Sequence, residues 1–167
     1  MKLTRAAEYA VRCILYLSGR PAGQVASRRE VSSAMDIPGA FLSKIAQALS
    51  RAGILIVRQG AAGGYELALS PKNISLLSVV EAVDGEIQLN ECLLRPHECG
   101  RSGLCAVHEV WHKARNQLRE TLHAVDFETL ARTAPVRDPR QAARRRDRED
   151  GPNFSFPGHA VGDGFNL

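Results

Sequence analysis

The sequence predicts a mainly α-helical fold with one small β-hairpin. Within the first 85 residues, apolar residues recur at helical spacing in several segments, and a glycine-rich loop joins two short runs of residues that suit a sheet. The chain has 167 residues, 44% of them apolar, which is enough for one compact domain. A net charge of +4 and a pI of about 9.1 favour a polyanionic partner.

Three helices are predicted before the hairpin. The first carries an apolar stripe from Leu3 to Leu17 and ends at Gly19. The second runs from Ser27 to Met35, and Ser27 and Glu30 have the spacing of a capping box. The third runs from about Gly39 to Ala52, and its side chains divide into a buried and an outward set. The expected buried set is Phe41, Leu42, Ile45, Ala48 and Leu49, and the expected outward set is Ser43, Lys44, Gln47, Ser50 and Arg51.

The predicted hairpin follows, with strands at Ile54–Val57 and Tyr65–Leu69 and a glycine-rich tip between them. Helix, short helix, turn, helix and hairpin, in this order, are typical of a winged helix-turn-helix. In such a fold the third helix enters the major groove of double-stranded DNA, and the hairpin reaches the minor groove or the phosphates. A solvated face on an ordinary helix has the same composition, and the order of the elements is what favours DNA. The candidate DNA-binding residues are Ala40, Phe41, Ser43, Lys44, Gln47, Arg51, Arg58 and Gln59.

Three cysteines are grouped beyond a further predicted helix at Ser75–Val83. Cys92, Cys99 and Cys105 have C-x6-C-x5-C spacing, the first two in an irregular loop at 86–103 and the third at the start of the next helix. Thiolates select zinc, copper or iron–sulfur clusters. Zinc prefers tighter C-x2-C pairs, so this spacing favours an iron–sulfur cluster, either 2Fe–2S or 4Fe–4S. Three packed or redox-active thiols without a metal are the alternative.

Several residues could supply a fourth ligand, and the sequence leaves the choice open. His108 follows Cys105 by one helical turn and projects to the same side. His97 lies in the cysteine loop itself, and Glu8 on the first helix could reach the site from the other subunit of a dimer. Each of them also fits a solvated or hydrogen-bonded role. Cys13 has no cysteine neighbour and is expected to be a small buried thiol.

A long helix is predicted from about Leu104 to Leu122. Apolar residues at seven-residue spacing form a stripe along it, which suits packing against the same helix of a second subunit. The sequence therefore predicts a homodimer, and packing of the stripe on its own domain is the alternative. Beyond residue 134 the composition changes to Pro, Arg, Asp and Gly, which predicts a disordered tail. The stripe is Leu104, Trp111, Leu118 and Val125, with Val107, Ala114 and Leu122 beside it.

Several protein classes are disfavoured. The sequence shows no signal peptide and no run of about 18 apolar residues, so a cytoplasmic location without membrane contact is expected. It shows no nucleophile pair, cofactor motif or P-loop, so no enzymatic activity is expected. The remaining rivals are a redox or electron-transfer protein and a winged-helix regulator with zinc or without metal. The predicted domains are a DNA-binding domain at 1–85, the cysteine loop at 86–103, a dimerisation helix with a short C-terminal helix at 104–133, and the tail at 134–167.

Several motifs form an ordered set along the chain. They are Met1-Lys-Leu-Thr-Arg5, Glu8-Tyr-Ala-Val11, the segment Ile37–Gly53, the wing end Gly63-Gly64-Tyr65, the helix Val79-Val-Glu-Ala-Val-Asp84, and the three cysteines followed by His108 and Trp111. Over roughly residues 1 to 132 the chain resembles the IscR/NsrR/RirA type of bacterial iron–sulfur transcription regulator. The resemblance implies a homodimeric winged-helix repressor, joined through the long helix, that binds palindromic promoter sites. It also implies a response to iron or cluster supply, redox state or nitric oxide.

The same resemblance implies residue roles. The three cysteines would be cluster ligands. The fourth ligand would be His108, as in members that sense cluster supply, or Glu8, which matches the acidic first-helix ligand of the nitric-oxide-sensing members. The wing departs from the family pattern, because Gln59 separates Arg58 from the glycine that usually follows the arginine directly. Ser43 stands where some members carry an acidic residue that restricts the choice of DNA site.

Overall fold

The computed structural model describes residues 3–90, 93 and 105–133. The order of its helices and strands confirms the predicted fold class, mainly α with one antiparallel hairpin. The predicted tail and most of the cysteine loop, including Cys92, His97 and Cys99, lie outside the described residues. The elements are α1 (Arg5–Ser18), α2 (Arg28–Met35), α3 (Gly39–Arg51), β1 (Leu55–Arg58), β2 (Gly64–Leu67), a 3-10 turn (Pro71–Asn73), α4 (Leu76–Asp84), α5 (Ala106–His123) and α6 (Phe127–Thr133).

Side-chain caps mark where the first helices begin. The Thr4 hydroxyl accepts a hydrogen bond from the backbone N–H of Ala7 at the start of α1. At the start of α2 the predicted capping box is confirmed. The Ser27 hydroxyl accepts from the Glu30 N–H at 3.2 Å, and the Glu30 carboxylate accepts from the Ser27 N–H at 3.3 Å. Asp36 ends α2 in the left-handed conformation, φ 55°, so the chain turns directly into α3.

Helix α1 lies at the centre of the main core. It packs against α2, α3, α4 and α6 through a stripe that is fully or almost fully buried. Phe127, the first residue of α6, is completely buried in the same core, so the chain beyond α5 returns to the winged-helix part. Cys13 is also completely buried, and burial raises the pKa of its thiol to about 12. The prediction of a buried structural thiol at this position is confirmed.

The hairpin, which forms the wing, is joined to the chain that leads into α2. Strand β1 begins and ends one residue later than predicted, while β2 begins one residue and ends two residues earlier. In the pairing, Leu55 lies opposite Leu67 and Arg58 opposite Gly64. The backbone of Tyr65 exchanges two hydrogen bonds with Ala26, at 2.8 and 2.9 Å. A Cβ atom added at Gly64 would lie 2.1 Å from the Ala26 carbonyl oxygen. Glycine at this position is therefore what allows the two backbones to approach so closely.

The two halves of α5 have different surroundings, so only part of the predicted apolar stripe is covered. None of its residues is buried within the described chain. Leu118 and Leu122 pack on a small apolar cluster of Leu77, Val80 and Ile87. The first half of the helix is uncovered, because Val107, Val110 and Trp111 are 55%, 63% and 39% exposed. None of the helices in the described ranges is both long and apolar enough to cross a bilayer.

Candidate nucleic-acid interface and cysteine site

Helix α3 presents a polar face with a positive N-terminal end. Pro38 precedes it and makes no side-chain cap, and its first turn contains no acidic residue. The positive end of the helix dipole is therefore not neutralised by the helix itself, which suits a nearby phosphate. Of the DNA-binding candidates on this helix, Ala40, Phe41, Lys44, Gln47 and Arg51 are exposed, and so is Ser50 of the expected outward set.

Phe41 was expected on the buried side of α3, and this expectation is wrong. Its side chain is 47% exposed, and its ring makes an edge-on contact with Tyr9 of α1 at 5.8 Å between centroids. The guanidinium of Arg12 lies over the other ring, 5.7 Å from the Tyr9 centroid. Ala46, rather than Phe41, completes the buried stripe, because Phe41 lies one position off it. An exposed phenylalanine near the start of a recognition helix can contact a thymine methyl group.

Ser43 is held by contacts within the chain. Its hydroxyl donates to the Gly39 carbonyl at 3.1 Å and accepts from Arg28 Nη1 at 3.4 Å. Burial raises the pKa of the nearby Tyr65, and the Ser43 hydroxyl has a smaller, opposite effect on it. Ser43 thus joins α3 to α2.

Arg28 is a further candidate for DNA contact that was not predicted from the sequence. This exposed residue opens α2 and lies beside α3 through its contact with Ser43. The helix before a recognition helix crosses the DNA backbone, where an arginine can contact phosphate. The adjacent Arg28 and Arg29, directly after the N-cap Ser27, are the signal that could have identified it.

The wing carries one cation in a defined position. Arg58 Nε donates to Glu66 Oε2 at 2.7 Å across the hairpin. The tip is closed by a hydrogen bond from the Gly63 N–H to the Gly60 carbonyl at 2.9 Å. Gln59 is exposed beside Arg58. The structure therefore places the wing candidates on the solvent side of the hairpin, in the same compact unit as α3.

Cys105 and His108 lie together at the start of α5. Cys105 is exposed and occupies the N-cap position, and its carbonyl accepts from the His108 N–H at 3.0 Å. His108 Nδ1 is buried and has no hydrogen-bond partner among the described residues. A thiolate and an imidazole one turn apart form a donor pair suited to iron or zinc. Glu8 is exposed on α1. Within 3–90, 93 and 105–133, no three His, Cys, Asp or Glu side chains converge.

The segment that leads into the cysteine loop is fastened to α5. Arg119 Nη1 donates to the carboxylates of both Glu81 and Glu86, the latter at 2.9 Å. Arg115 Nη1 donates to Gln88 Oε1 at 3.2 Å. With the Asn90 amide oriented to satisfy both of its groups, its oxygen accepts from the indole N–H of α5 at 2.9 Å. The chain is therefore attached to α5 up to two residues before the first clustered cysteine.

Comparison with known proteins identifies the group to which this architecture belongs. A family model described as Rrf2, iron-dependent transcriptional regulator, matches residues 3–133. The chain belongs to the Rrf2 family. An NsrR regulator of Halalkalibacterium halodurans is 30% identical to this Rrf2 chain over 117 residues, 68% of this chain and 79% of the relative. An NsrR of Shouchella clausii is 30% identical over 115 residues, 68% and 77% of the two chains.

Solved structures confirm the Rrf2 fold. CymR, described as the global cysteine regulator of B. subtilis, superposes with a TM-score of 0.66 at 21% identity, covering 81% of this chain and 99% of CymR. T. potens IscR superposes with a TM-score of 0.63 at 18% identity, covering 80% and 89% of the two chains. The protein is therefore an Rrf2-family DNA-binding transcription regulator with a winged-helix fold, and not an enzyme.

Proposed function

We propose that this Rrf2-family chain is an iron–sulfur cluster-dependent repressor that binds palindromic promoter DNA as a homodimer. The observation that carries the proposal is the pair of Cys105 and His108 at the start of α5, on a helix fastened to the winged-helix part. The iron-dependent description of the matching family model supports it. The sequence identity with two NsrR regulators also supports the proposal. This similarity favours iron supply, redox state or nitric oxide as the signal.

The proposed ligands are Cys92, Cys99, Cys105 and His108. Cys105 is exposed and free, so its thiolate can bind a metal without disturbing the core. The buried His108 Nδ1 without a described partner favours His108 over the alternative, Glu8, as the fourth ligand. An unpaired buried nitrogen costs roughly 1–3 kcal/mol, and a metal ligated by the ring or a hydrogen bond from the loop would remove that cost. A cluster bound here would supply a group that iron loss, oxidation or nitric oxide can alter.

The contacts around α5 provide a route from this site to the DNA-binding surface. Arg119 joins α5 to Glu81 on α4, and Glu81 Oε1 also accepts from the Ile87 N–H at 3.0 Å. At the end of α4, Asp84 accepts from the Thr4 N–H at 3.1 Å, where α1 begins. A change in the cysteine loop would therefore shift α5 relative to α4 and α1, which carry α3.

The uncovered half of α5 supports the homodimer. Val107, Val110 and Trp111 form an exposed apolar patch directly after the cysteine site. A second copy of α5 packed on this patch would bury it and would bring the two cysteine sites close to the dimer axis. In such a dimer, a small rotation of one subunit changes the spacing of the two α3 helices on DNA, and half-sites tolerate little change.

Anaerobic purification tests the cluster. Brown protein with charge-transfer absorption and matching iron and sulfide contents is expected. Cys99→Ala should lose iron, whereas Cys13→Ala, which removes a buried thiol elsewhere, should retain it. A colourless protein containing zinc or no metal would overturn the cluster, and would favour the alternative of a winged-helix regulator without one.

The fourth ligand is tested by three matched variants. His108→Ala should lower iron content and change the absorption spectrum, while His112→Ala, one turn further on α5, should leave both unchanged. Glu8→Ala should also leave both unchanged. Loss of iron in Glu8→Ala, with iron retained in His108→Ala, would assign the role to Glu8. Promoter affinity measured with and without the cluster tests its regulatory role, and equal affinities would contradict it.

A further inference from the structure

The wing contains an ion pair whose two members differ in exposure. The Arg58 side chain is 54% exposed, whereas the Glu66 side chain that it contacts is only 12% exposed. The Nε to Oε2 distance is 2.7 Å. Two fully exposed partners hold each other weakly, because solvent competes for both. Here one partner is sheltered, so the carboxylate can fix where the exposed guanidinium lies.

Strand register explains why Glu66 has this role. Arg58 stands opposite Gly64, and Glu66 stands opposite Ile56, so Arg58 and Glu66 are diagonal neighbours. Long side chains reach diagonal neighbours across an antiparallel pair. Gly64 offers no side chain to Arg58, and no larger residue fits there because its Cβ would lie 2.1 Å from the Ala26 oxygen. In the described part of the chain, Glu66 is the only hydrogen-bonding side chain that contacts Arg58.

The contact leaves most of the guanidinium available. Arginine has five N–H donors in a planar fork, and the bond from Nε uses one of them. The Nη donors can bind acceptors in the DNA minor groove, where narrow A·T-rich segments attract arginine most strongly. An arginine that is already ordered loses less conformational entropy on binding than a free one.

We propose that Glu66 is a positioning residue for Arg58 and sets the preference of the wing for a narrow, A·T-rich minor groove. Glu66 acts only through Arg58 and does not contact DNA. The inference rests on the proposed DNA binding through α3 and the wing, and it is independent of the cysteine site.

A selection from random DNA tests the inference. The full-length protein is equilibrated with a pool of random duplexes, and the bound fraction is sequenced. The wild type should select A·T-rich positions beside the bases read by α3. Glu66→Ala should lower that preference about tenfold and leave the α3 preference unchanged. Glu66→Gln should largely restore it, because its amide oxygen still accepts from Nε. Arg58→Ala should lose the preference, and adding Glu66→Ala to it should have no further effect.

Two further variants keep the outcome interpretable. Glu128→Ala removes an exposed carboxylate from α6 and should leave the selection unchanged. Arg58→Lys keeps the charge without the planar fork and should lose the A·T preference. This variant still tests the inference if Glu66→Ala unfolds the wing. Unchanged selection in Glu66→Ala or Arg58→Lys would overturn the inference. The inference would also be overturned if Glu66→Ala bound every duplex more tightly by the same factor. That result would mean that the Glu66 carboxylate only repels DNA. Failure of the wild type to select any sequence would instead overturn the DNA-binding proposal.

Discussion

Helices α1 and α5 both carry apolar stripes at helical spacing, yet the chain covers only one of them. Helix α1 has 14 residues and buries five, namely Ala7, Ala10, Cys13, Ile14 and Leu17. Helix α5 has 18 residues and buries none within the described chain. The contacts that hold it are the packing of Leu118 and Leu122 and the ion pairs of Arg115 and Arg119, all in its second half.

This difference shows what an amphipathic pattern does and does not establish. The pattern identifies an apolar face, but it does not say which surface covers that face. For α1 the cover is the rest of the chain. In the first half of α5, Val107 and Val110 stay more than half exposed, and the proposed second copy would cover them. Mutations at the two helices should therefore affect different quantities, the stability of the chain for α1 and its assembly for α5.

The largest effect is expected in the core around α1. Phe127→Ala removes a completely buried ring and should lower the free energy of unfolding by about 3–5 kcal/mol. Leu130→Ala, one turn later and only half-buried, should cost less than half as much. Urea denaturation followed by circular dichroism measures both. A loss below about 1 kcal/mol for Phe127→Ala would show that α6 is not part of the α1 core.

A matched pair on α5 should separate stability from assembly. Leu118→Ala removes packing on α4 and should lower the free energy of unfolding by about 1–2 kcal/mol. Val110→Asp, at a 63% exposed position, should change it by less than about 0.5 kcal/mol at concentrations where the chain is monomeric. The same change should weaken the proposed dimer at least about tenfold, because it buries an unpaired carboxylate in the interface. Sedimentation velocity over a concentration range measures this, and an unchanged mass distribution would place the interface elsewhere.

The smallest expected effect is on the pH dependence of stability, through the contacts of Glu30 at the end of α1. Burial acts to raise the pKa of Glu30, but the hydrogen bond from Tyr16 at 2.8 Å and the charge of Arg20 outweigh it, so the pKa is lowered. The stability from Glu30 is therefore present above its unfolded pKa of about 4.3 and is lost as pH falls through the lower folded pKa. Because the Glu30 side chain is 38% exposed, screening by solvent should keep its contribution to the free energy of unfolding well below about 1 kcal/mol.

Unfolding measured between pH 7 and pH 3 tests this contribution. Glu30→Gln should flatten the acid limb of the curve, and Tyr16→Phe, which removes only the donor, should flatten it in part. A Tyr16→Phe curve with the same slope as the wild type would contradict the assignment. Unlike the core contribution, this one should also shrink in high salt.

Local rules predicted the elements better than the contacts between them. The capping box of Ser27 and Glu30 follows from backbone chemistry over a few residues, and it was predicted. The glycine-rich tip was predicted as well, but the need for glycine at Gly64 comes from Ala26, 38 positions earlier. Phe41 was misassigned, because its neighbour Tyr9 lies 32 positions earlier, and no local pattern reports such a contact. The Arg28 contact with Ser43 depends in the same way on how α2 meets α3.

The cysteine site shows a similar division. The spacing of the three cysteines and His108 indicated a metal site, and the structure adds that Cys105 is exposed and that His108 Nδ1 lacks a described partner. The attachment of α5 by Arg115 and Arg119 could not be predicted, since it depends on the path of residues 85–90 over that helix. The division of the chain into domains at residue 85 stays a prediction.

The backbone pairing of Ala26 with Tyr65 has a consequence for the length of DNA that one copy of the chain would read. Because the wing is hydrogen-bonded to the chain entering α2, and Ser43 of α3 is hydrogen-bonded to Arg28 of α2, the spacing between α3 and the wing is fixed. One base pair inserted between the bases read by α3 and those read by the wing would move the second set by about 3.4 Å and rotate it by about 34°. Such an insertion inside a half-site should not be tolerated, whereas in the proposed dimer the response to the signal would come from moving one copy of the chain relative to the other.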